Sequence, residues 1–384
     1  MSSEGLNTHV EHREAISIVS LVFPLDKKQA SLWRQVEREA FEEDEYHIPL
    51  TSIQYGEETE FYLLYYHDKA VGRVCASIDR QWIEKKGNNL GFIEDLVINP
   101  AHRDLAHMLI KRCLDFLRDK GVEGAIVRSH SFPALAAQSL NQDVPPFTMP
   151  CNPPWYIDLF EQEGFVKFKE WANFRLLLPP KIPKDDASRS KNCVKHLDAT
   201  MGPLNMKNRR QINEYNALMD DILEDHFGYT PGRVFTKLDS LPKHILFIVL
   251  CRLAKFQIYV IQTRSGQIVG LSSFAPNYNI ALRPLVNKLE RFRFLALAKF
   301  FVSLRRTKRA EIGAIGLSKE MRGKGFVKLM DHALKTMADA GYTEFDTGPI
   351  LAENAVVIKM VGYIQKRYAI QAEHMQYYTL MYRF

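Results

Sequence analysis

Hydrophobic and polar positions run through two similar cycles along the chain. Ser31 to Glu43 spaces Leu32, Val36, Ala40 and Phe41 along one side of a helix. Phe61 to Tyr66 and Ala70 to Ile78 are apolar runs around His67-Asp68-Lys69, the pattern of two strands about a short polar turn. Gly91 to Ile98 predicts another strand, closed by Asn99-Pro100. Leu105 to Arg118 predicts a strongly amphipathic helix, with Leu105, Met108, Leu109, Cys113, Phe116 and Leu117 on one face. Ala125 to Arg128 follows as a short buried strand and Tyr156 to Gln162 as a helix. Gly164-Phe165 opens an expected final pair of strands ending near Leu178.

The stretch Pro179-Pro180-Lys181-Ile182-Pro183-Lys184-Asp185-Asp186 has the composition of a linker. Helical material is predicted from Asn208 to Asp225 and from Pro242 to Lys255. The earlier order then recurs. Gln257 to Gln262 and Ile268 to Phe274 flank Arg264-Ser265-Gly266-Gln267 as a hairpin. Glu311 to Leu317 reads as a strand, and Val327 to Ala340 as an amphipathic helix stopped by Gly341. A short strand opens at Glu344, a helix runs from Asn354 to about Gln365, and a strand from His374 to Arg383 ends the chain. In each half an arginine, Arg103 or Arg322, stands five residues after the last apolar residue of the strand, Ile98 or Leu317. The repeated order predicts a duplicated α/β fold with a mixed sheet. The expected organisation is a tail over 1–14, a first domain over 15–180, a linker over 181–189 and a second domain over 190–384.

Composition adds little beyond excluding disorder and fibrous classes: 384 residues, 46% hydrophobic and 25% charged. Charge distribution is more informative. The net charge is +6, but residues 283–309 hold nine Lys/Arg and one acid, Glu290, so this segment nets +8 and the remainder −2. The five cysteines are scattered without a C-x-x-C pair, which suits reduced thiols and a cytoplasmic protein. The polar stretch Met1 to Ala15 has no secretory pattern, and no apolar run reaches membrane-spanning length.

The chemistry concentrates where the second-half strand runs through a glycine-containing turn into a helix. Gly323 and Gly325 let a ligand approach the backbone. The amides of the following helix favour an anion there, and Arg322 and Lys324 add positive charge. The physical expectation is a pyrophosphate cradle. The spacing is neither a Walker A loop nor a G-x-G-x-x-G fingerprint. It resembles the acetyl-CoA signature of the GNAT superfamily of N-acetyltransferases, R/Q-x-x-G-x-G/A. The match is Arg322, Gly323, Lys324, Gly325 and Phe326, with Val327 where Gly or Ala is usual. The order of elements around it is similar too. The first half resembles a degenerate member, since Arg103-Asp104-Leu105-Ala106-His107-Met108 has no glycine and places Asp104 where a diphosphate would sit. The whole chain thus resembles bacterial two-domain GNAT proteins of poorly defined function, sharing Val71-Gly72-Arg73, Asn152-Pro153-Pro154-Trp155-Tyr156 and Glu161-Gln162-Glu163-Gly164-Phe165.

The resemblance implies direct transfer of an acetyl group from acetyl-CoA to the amine of a small molecule or peptide, without a metal. It implies a backbone donor to the thioester oxygen near Leu317 or Ser318, and a contact from Asn354 to the pantetheine arm. Glu311, six residues before Leu317, stands where some members carry a glutamate base; the alternative is a solvated carboxylate beside Arg309. The family's acid tyrosine would fall at Val361. Tyr363 is the nearest phenol, about 200° round a helix from it, and is otherwise a core aromatic.

Other signals leave alternatives open. The rigid Asn152–Tyr156 loop either lines a cleft or caps the first core. His102 and His107 suit surface positions, and Asp220, Asp221, Glu224 and Asp225 suit a solvated helix end. The basic segment 283–309 either closes the second core, covers cofactor phosphates, or makes a peripheral membrane contact; no nucleic-acid module accompanies it. Two rivals to acetyl transfer remain: a long-chain acyl donor, sheltered by the aromatic-rich insertion, and a non-catalytic acyl-CoA sensor. Acceptor and oligomeric state are not encoded in any motif.

Overall fold

The computed structural model describes residues 16–22, 25–40, 58–129, 132–137, 144–147, 149–150, 152–179, 199–223, 249, 251–283, 293–321 and 326–384. The expected tail 1–14, the linker 181–189 and the turn 322–325 lie outside the described residues.

In chain order the first elements are β1 (Ile16–Val22), α1 (Lys27–Ala40), β2 (Glu58–Tyr66), β3 (Lys69–Ile78), α2 (Arg80–Lys86) and β4 (Leu90–Ile98). A 3₁₀ turn, Pro100–Leu105, leads into α3 (Ala106–Asp119). Then come β5 (Gly124–Arg128), β6 (Leu135–Ala136), α4 (Trp155–Gln162) and β7 (Val166–Leu177). The second series is β8 (Ala199–Pro203), α5 (Arg209–Leu223), β9 (Gln257–Thr263), β10 (Ile268–Pro276), α6 (Tyr278–Leu282), α7 (Arg293–Arg306) and β11 (Arg309–Leu317). It ends with α8 (Phe326–Asp339), β12 (Glu344–Asp346), β13 (Ile350–Leu351), α9 (Ala355–Tyr368) and β14 (Ala372–Arg383). Instead of the expected pair of strands before Leu178 there is one twelve-residue strand, β7.

The chain divides into two compact units. Unit 1 is Met1–Pro145, Met149–Trp171 and Met375–Phe384; unit 2 is Pro146–Thr148 and Ala172–His374. The division therefore does not follow the sequence halves at their last strands. Residues of β14 pair with β5 in unit 1 (Met381↔Ile126), and residues of β7 pair with β12 in unit 2 (Leu176↔Phe345). Linear order assigned each strand to the half in which it is written, whereas the division splits β7 after Trp171 and gives most of β14 to unit 1.

In unit 1 the strand order is β1-β2-β3-β4-β5-β14, antiparallel except for the parallel β4–β5 pair. All nine residues of β4 are buried, which is why its sequence is a continuous apolar run broken only by Glu94 and Asp95. The α3 helix lays Leu109, Ile110, Cys113 and Leu117 on one face of this sheet. On the other face, α1 packs Trp33 and Val36 against Phe61, Leu63 and Val97. Asp79 caps α2 by accepting the Trp82 N–H, and Gly87 ends it with φ +66°.

Unit 2 repeats this plan with the order β7-β12-β11-β10-β9-β8. One face is covered by α8 and α9, which bury Met330, Leu334, Met337, Val361 and Ile364 with Phe274, Ile312 and Phe345. The other is covered at one end by α5, through Ile212, Tyr215, Leu218 and Met219. The duplication is visible in single residues. Gly72 pairs with Ile98 and Gly270 with Leu317. A Cβ on either glycine would press its partner's side chain, at 2.6 Å from Ile98 Cδ1 and 2.7 Å from Leu317 Cδ2. The amides after these strands match as well: Asn99 donates to the Val71 carbonyl at 2.8 Å and Ser318 to the Val269 carbonyl at 2.9 Å.

Candidate functional site

Strand β11 carries two of the predicted residues, Glu311 and Leu317, and Ser318 follows it. It runs antiparallel to β10, with one extra residue, Gly313, bulged out where Ser273 faces Ala314 and Phe274 faces Ile312. Its parallel pairing with β12 covers only three residues, Arg309 to Glu311 against Glu344 to Asp346. The chain beyond β12 then turns at Gly348, whose φ is +74° and where a Cβ would lie 2.9 Å from the Ile312 carbonyl. Ile350–Leu351 pairs with β7 instead. Thus β11 continues from Ile312 to Leu317 past its last β12 partner.

This edge, without a strand partner among the described residues, leads toward the predicted phosphate turn. Leu317 is buried with Leu329 of α8, and Phe326, the first residue of α8, is half-buried against the same cluster. The core therefore anchors the strand before the turn and the helix after it. Val327 follows Phe326 on α8 and is half-buried; Arg322, Gly323, Lys324 and Gly325 lie outside the described residues. Ser318 departs from the expected role. Its amide is engaged by the Val269 carbonyl, so it is not free to meet a thioester oxygen, and its buried Oγ has no hydrogen-bond partner among the described residues.

Glu311 is buried, with 4% of its surface exposed, so it is not a solvated carboxylate. Its Oε2 accepts the Phe147 N–H at 2.7 Å. Its register partners are Ala275 on β10 and Asp346 on β12, and Asp346 in turn pairs with Arg175 on β7. Paired residues share a face, so the three charged side chains form a row on the sheet face opposite α8. Asp346 is fully buried. It accepts from Arg175 Nε at 3.3 Å, from Asn173 Nδ2 at 3.5 Å and, at its other oxygen, from Asn277 Nδ2 at 3.5 Å. Burial pushes the Asp346 carboxyl above its ordinary range, against the opposing pull of Arg175 and Arg309. Arg309 pairs with Glu344 at 3.3 Å. None of Asp346, Asn173, Arg175 or Phe147 carries a motif.

The bulge at Gly313 has a further effect. A six-residue spacing would put Glu311 and Leu317 on one face of a regular strand. The extra residue sends Glu311 to the face opposite α8 and Leu317 to the α8 face.

Asn354 caps α9, its Oδ1 accepting the Val357 N–H at 3.3 Å. On α9, Val361 is buried against α8 while Tyr363 is 40% exposed. The Tyr363 hydroxyl accepts a short hydrogen bond from Arg367 Nη1, and Arg367 also pairs with Asp331 at 3.2 Å. Tyr363 is therefore not a core aromatic. It sits on the outer side of α9, and Glu311 on the opposite face of the sheet, so the structure does not bring the two together.

Unit 1 is built differently at the same places. The Ile98 amide, counterpart of Leu317, donates to the buried Tyr156 hydroxyl at 3.3 Å. Tyr156 belongs to the Asn152–Tyr156 loop, which caps the first core: Asn152 Oδ1 accepts the Ala136 N–H at 2.7 Å and Tyr156 lies within the main cluster. The turn before α3 lines a cavity of about 460 Å³ with Arg103, Asp104, His107, Trp155, Asp158 and Glu163. Three carboxylates against one guanidinium make it a poor diphosphate site. Deeper in the sheet, Glu94 Oε1 accepts from Ser77 Oγ at 2.6 Å and Arg128 Nη1 at 3.3 Å, while its buried Oε2 has no partner among the described residues. Burial raises its pKa. His102 packs on the Tyr66 ring and His107 Nδ1 lies 2.6 Å from the Asp104 carbonyl. Asp221 pairs with Lys319 at 3.2 Å. Among the described residues no group of three His, Cys, Asp or Glu side chains is placed to hold a metal.

Comparison with known proteins agrees with this architecture. Residues 29–137 match the model of the acetyltransferase (GNAT) family. That match falls on the half that lacks the glycine turn. No curated protein matches the chain. Among solved structures, a tandem GNAT protein from the clavulanic acid biosynthesis pathway superposes with a TM-score of 0.53 at 10% identity, over 95% of this chain and 98% of that one. The glucosamine N-acetyltransferase region of a fungal multi-domain β-N-acetylglucosaminidase gives 0.55 at 12% identity, over 96% of this chain and 38% of that one. At these identities the likeness is one of fold: the chain has the fold of a tandem GNAT protein.

Proposed function

From the premise that this chain has a tandem GNAT fold, we propose that unit 2 is an acyl-CoA-dependent N-acyltransferase site, with acetyl-CoA the simplest donor. The observation that carries the reading is the parting of β11 and β12 after three pairs. Among the described residues it leaves the β11 edge without a strand partner before the helix that follows the glycine turn, where the corresponding amide of unit 1 is occupied by Tyr156. Gly323, Gly325 and the first amides of α8 hold the pyrophosphate in this reading, Arg322 and Lys324 neutralise it, and Asn354 borders the pantetheine arm. With Ser318 N–H engaged, Leu317 is the backbone donor on the β11 edge. When bound, the donor supplies an activated acyl group.

The acceptor is a small-molecule or peptide amine approaching from the Glu311 face. Glu311 takes the amine proton. Its burial disfavours the charge, and the Phe147 amide it accepts helps to offset that cost. Tyr363, half exposed and bound by Arg367, is given no step; the departing thiolate takes its proton from solvent.

The test is calorimetric titration with acetyl-CoA and a long-chain acyl-CoA, on wild type and Gly325→Glu. The introduced carboxylate crowds the turn and repels a diphosphate. Binding that the variant weakens by two orders of magnitude or more, roughly the loss of one buried charge contact, supports the site, and the preferred chain length names the donor. Equal binding by both proteins sinks this assignment.

A further inference from the structure

We propose that the outward face of α7 is a docking surface for an anionic phospholipid bilayer. The helix lies in the basic segment, and its sequence holds no acid. Around the helix, at about 100° per residue, Leu295, Val302 and Arg306 fall within about 20° of one line, with Lys299 at about 40° on one side. Ala298 and Arg305 lie at about 60° and 80° on the other. Every one of these six residues is exposed, and Leu295 and Val302 are 62% and 50% exposed. Leu304, diametrically opposite, is 1% exposed and marks the face that α7 turns inward, where it packs with α6. The fold thus buries one side of the helix and holds outward a stripe of three apolar residues among three cations.

Lys308 and Arg309, which follow the helix, do not share this face. Arg309 is buried in its pair with Glu344, and Lys308 Nζ donates to the Gly341 carbonyl at 3.2 Å. The occupant follows from the pairing of chemistries. Exposed Leu and Val disfavour a purely aqueous polyanion, which would be served by cations alone. Lys and Arg beside them favour a surface that is apolar below and negative at its rim. A protein partner of mixed polarity has no need of an acid-free face. The helix is fourteen residues long, about 21 Å, suited to lying in the interface rather than crossing it. The proposal does not depend on the acyl-transfer reading.

The test is flotation of the full chain with vesicles of equimolar phosphatidylcholine and phosphatidylglycerol, against vesicles of phosphatidylcholine alone. Wild type floats with the anionic vesicles only, and its binding falls as salt rises. One Lys or Arg near such a surface strengthens binding about fivefold, so Lys299→Gln/Arg305→Gln/Arg306→Gln weakens it roughly a hundredfold. Leu295→Ser/Val302→Ser weakens it about tenfold. Thermal melts verify that each variant folds, and the wild-type salt titration carries the electrostatic part of the test without any variant. Failure of wild type to float, equal flotation with neutral vesicles, or indifference to both sets of substitutions overturns the proposal. Retention on a duplex DNA oligonucleotide that depends on the three cations but not on Leu295 and Val302, with no vesicle binding, overturns it in favour of nucleic acid.

Discussion

The two units share a plan and differ at its centre. In each, a glycine on the third strand of the meander lets the end of the next strand pack closely, Gly72 against Ile98 and Gly270 against Leu317. In each, that next strand is bulged and then parts from its parallel neighbour. Unit 1 fills the resulting place. Tyr156 bonds the Ile98 amide, and carboxylates line the cavity at the turn. In unit 2, α9 begins with Ala355 and Val356 where α4 begins with Trp155 and Tyr156, and Val356 is 70% exposed. The two copies of one plan thus differ at the amide after the bulge: unit 1 closes it with the Tyr156 hydroxyl, and α9 of unit 2 presents no phenol at the matching position.

Each prediction attacks that contrast. The largest effect is expected at the turn: Gly325→Glu abolishes acyl-CoA binding, whereas Asp104→Gly in unit 1 creates none, both read by calorimetry. Measurable binding in wild type that survives Gly325→Glu would move the site to unit 1. Next is Glu311→Gln. If the carboxylate is the base, turnover falls between about a hundred and ten thousand times, while acyl-CoA affinity stays within a factor of three. An unchanged rate at saturating donor removes Glu311 from the chemistry.

Tyr156→Phe should cost about 1–2 kcal/mol of stability, because the buried Ile98 amide loses its acceptor. Acyl-CoA affinity should not change, since the hydroxyl serves unit 1 alone. A gain of a second binding stoichiometry would show instead that Tyr156 was all that closed the first unit. Chemical denaturation and calorimetry on the same preparation distinguish these.

A smaller effect is expected in pH. Both Asp346 and Glu94 have folded pKa values raised chiefly by burial. A raised folded value means the group favours the folded state below its unfolded pKa of about 4, and that this contribution is lost as pH rises through the folded value. Asp346→Asn and Glu94→Gln remove this loss. The melting temperature of wild type, taken relative to each variant, should therefore decline from pH 4 toward neutrality. A difference that is flat or rises with pH contradicts the burial argument. Least affected is Tyr363→Phe, expected to change turnover by less than about threefold, since the phenol faces outward to Arg367. A hundredfold loss would restore it as an acid.

Much of the architecture follows from pattern. The apolar periods of β2, β3, β4, α3, β9, β10, β11, α8 and α9 match the observed elements to within a few residues, because their burial is one-sided or complete. The edge strands β1 and β8 and the short α2 lack a strong period and were not legible. The site was half legible. Leu317, Phe326 and Asn354 follow from their place in the order of elements. The face on which Glu311 lies does not, because one bulged residue, Gly313, reverses the alternation. Asp346 and Arg175 were not legible at all, and Tyr156 only as part of a rigid loop that either lines a cleft or caps the first core, since a buried polar contact is recognised only from its partners.

By itself, then, the sequence determined the two α/β halves, their repeated order, the cationic segment and the glycine turn, since each is written in local spacing or composition. Tertiary structure decided which unit owns each terminal strand, which face of β11 carries charge, which side of α7 meets solvent, and which of two equivalent amides is closed. Those four outcomes depend on pairings between residues far apart in sequence, such as Phe147 with Glu311 and Tyr156 with Ile98. No local pattern encodes such contacts; only the packed chain makes them.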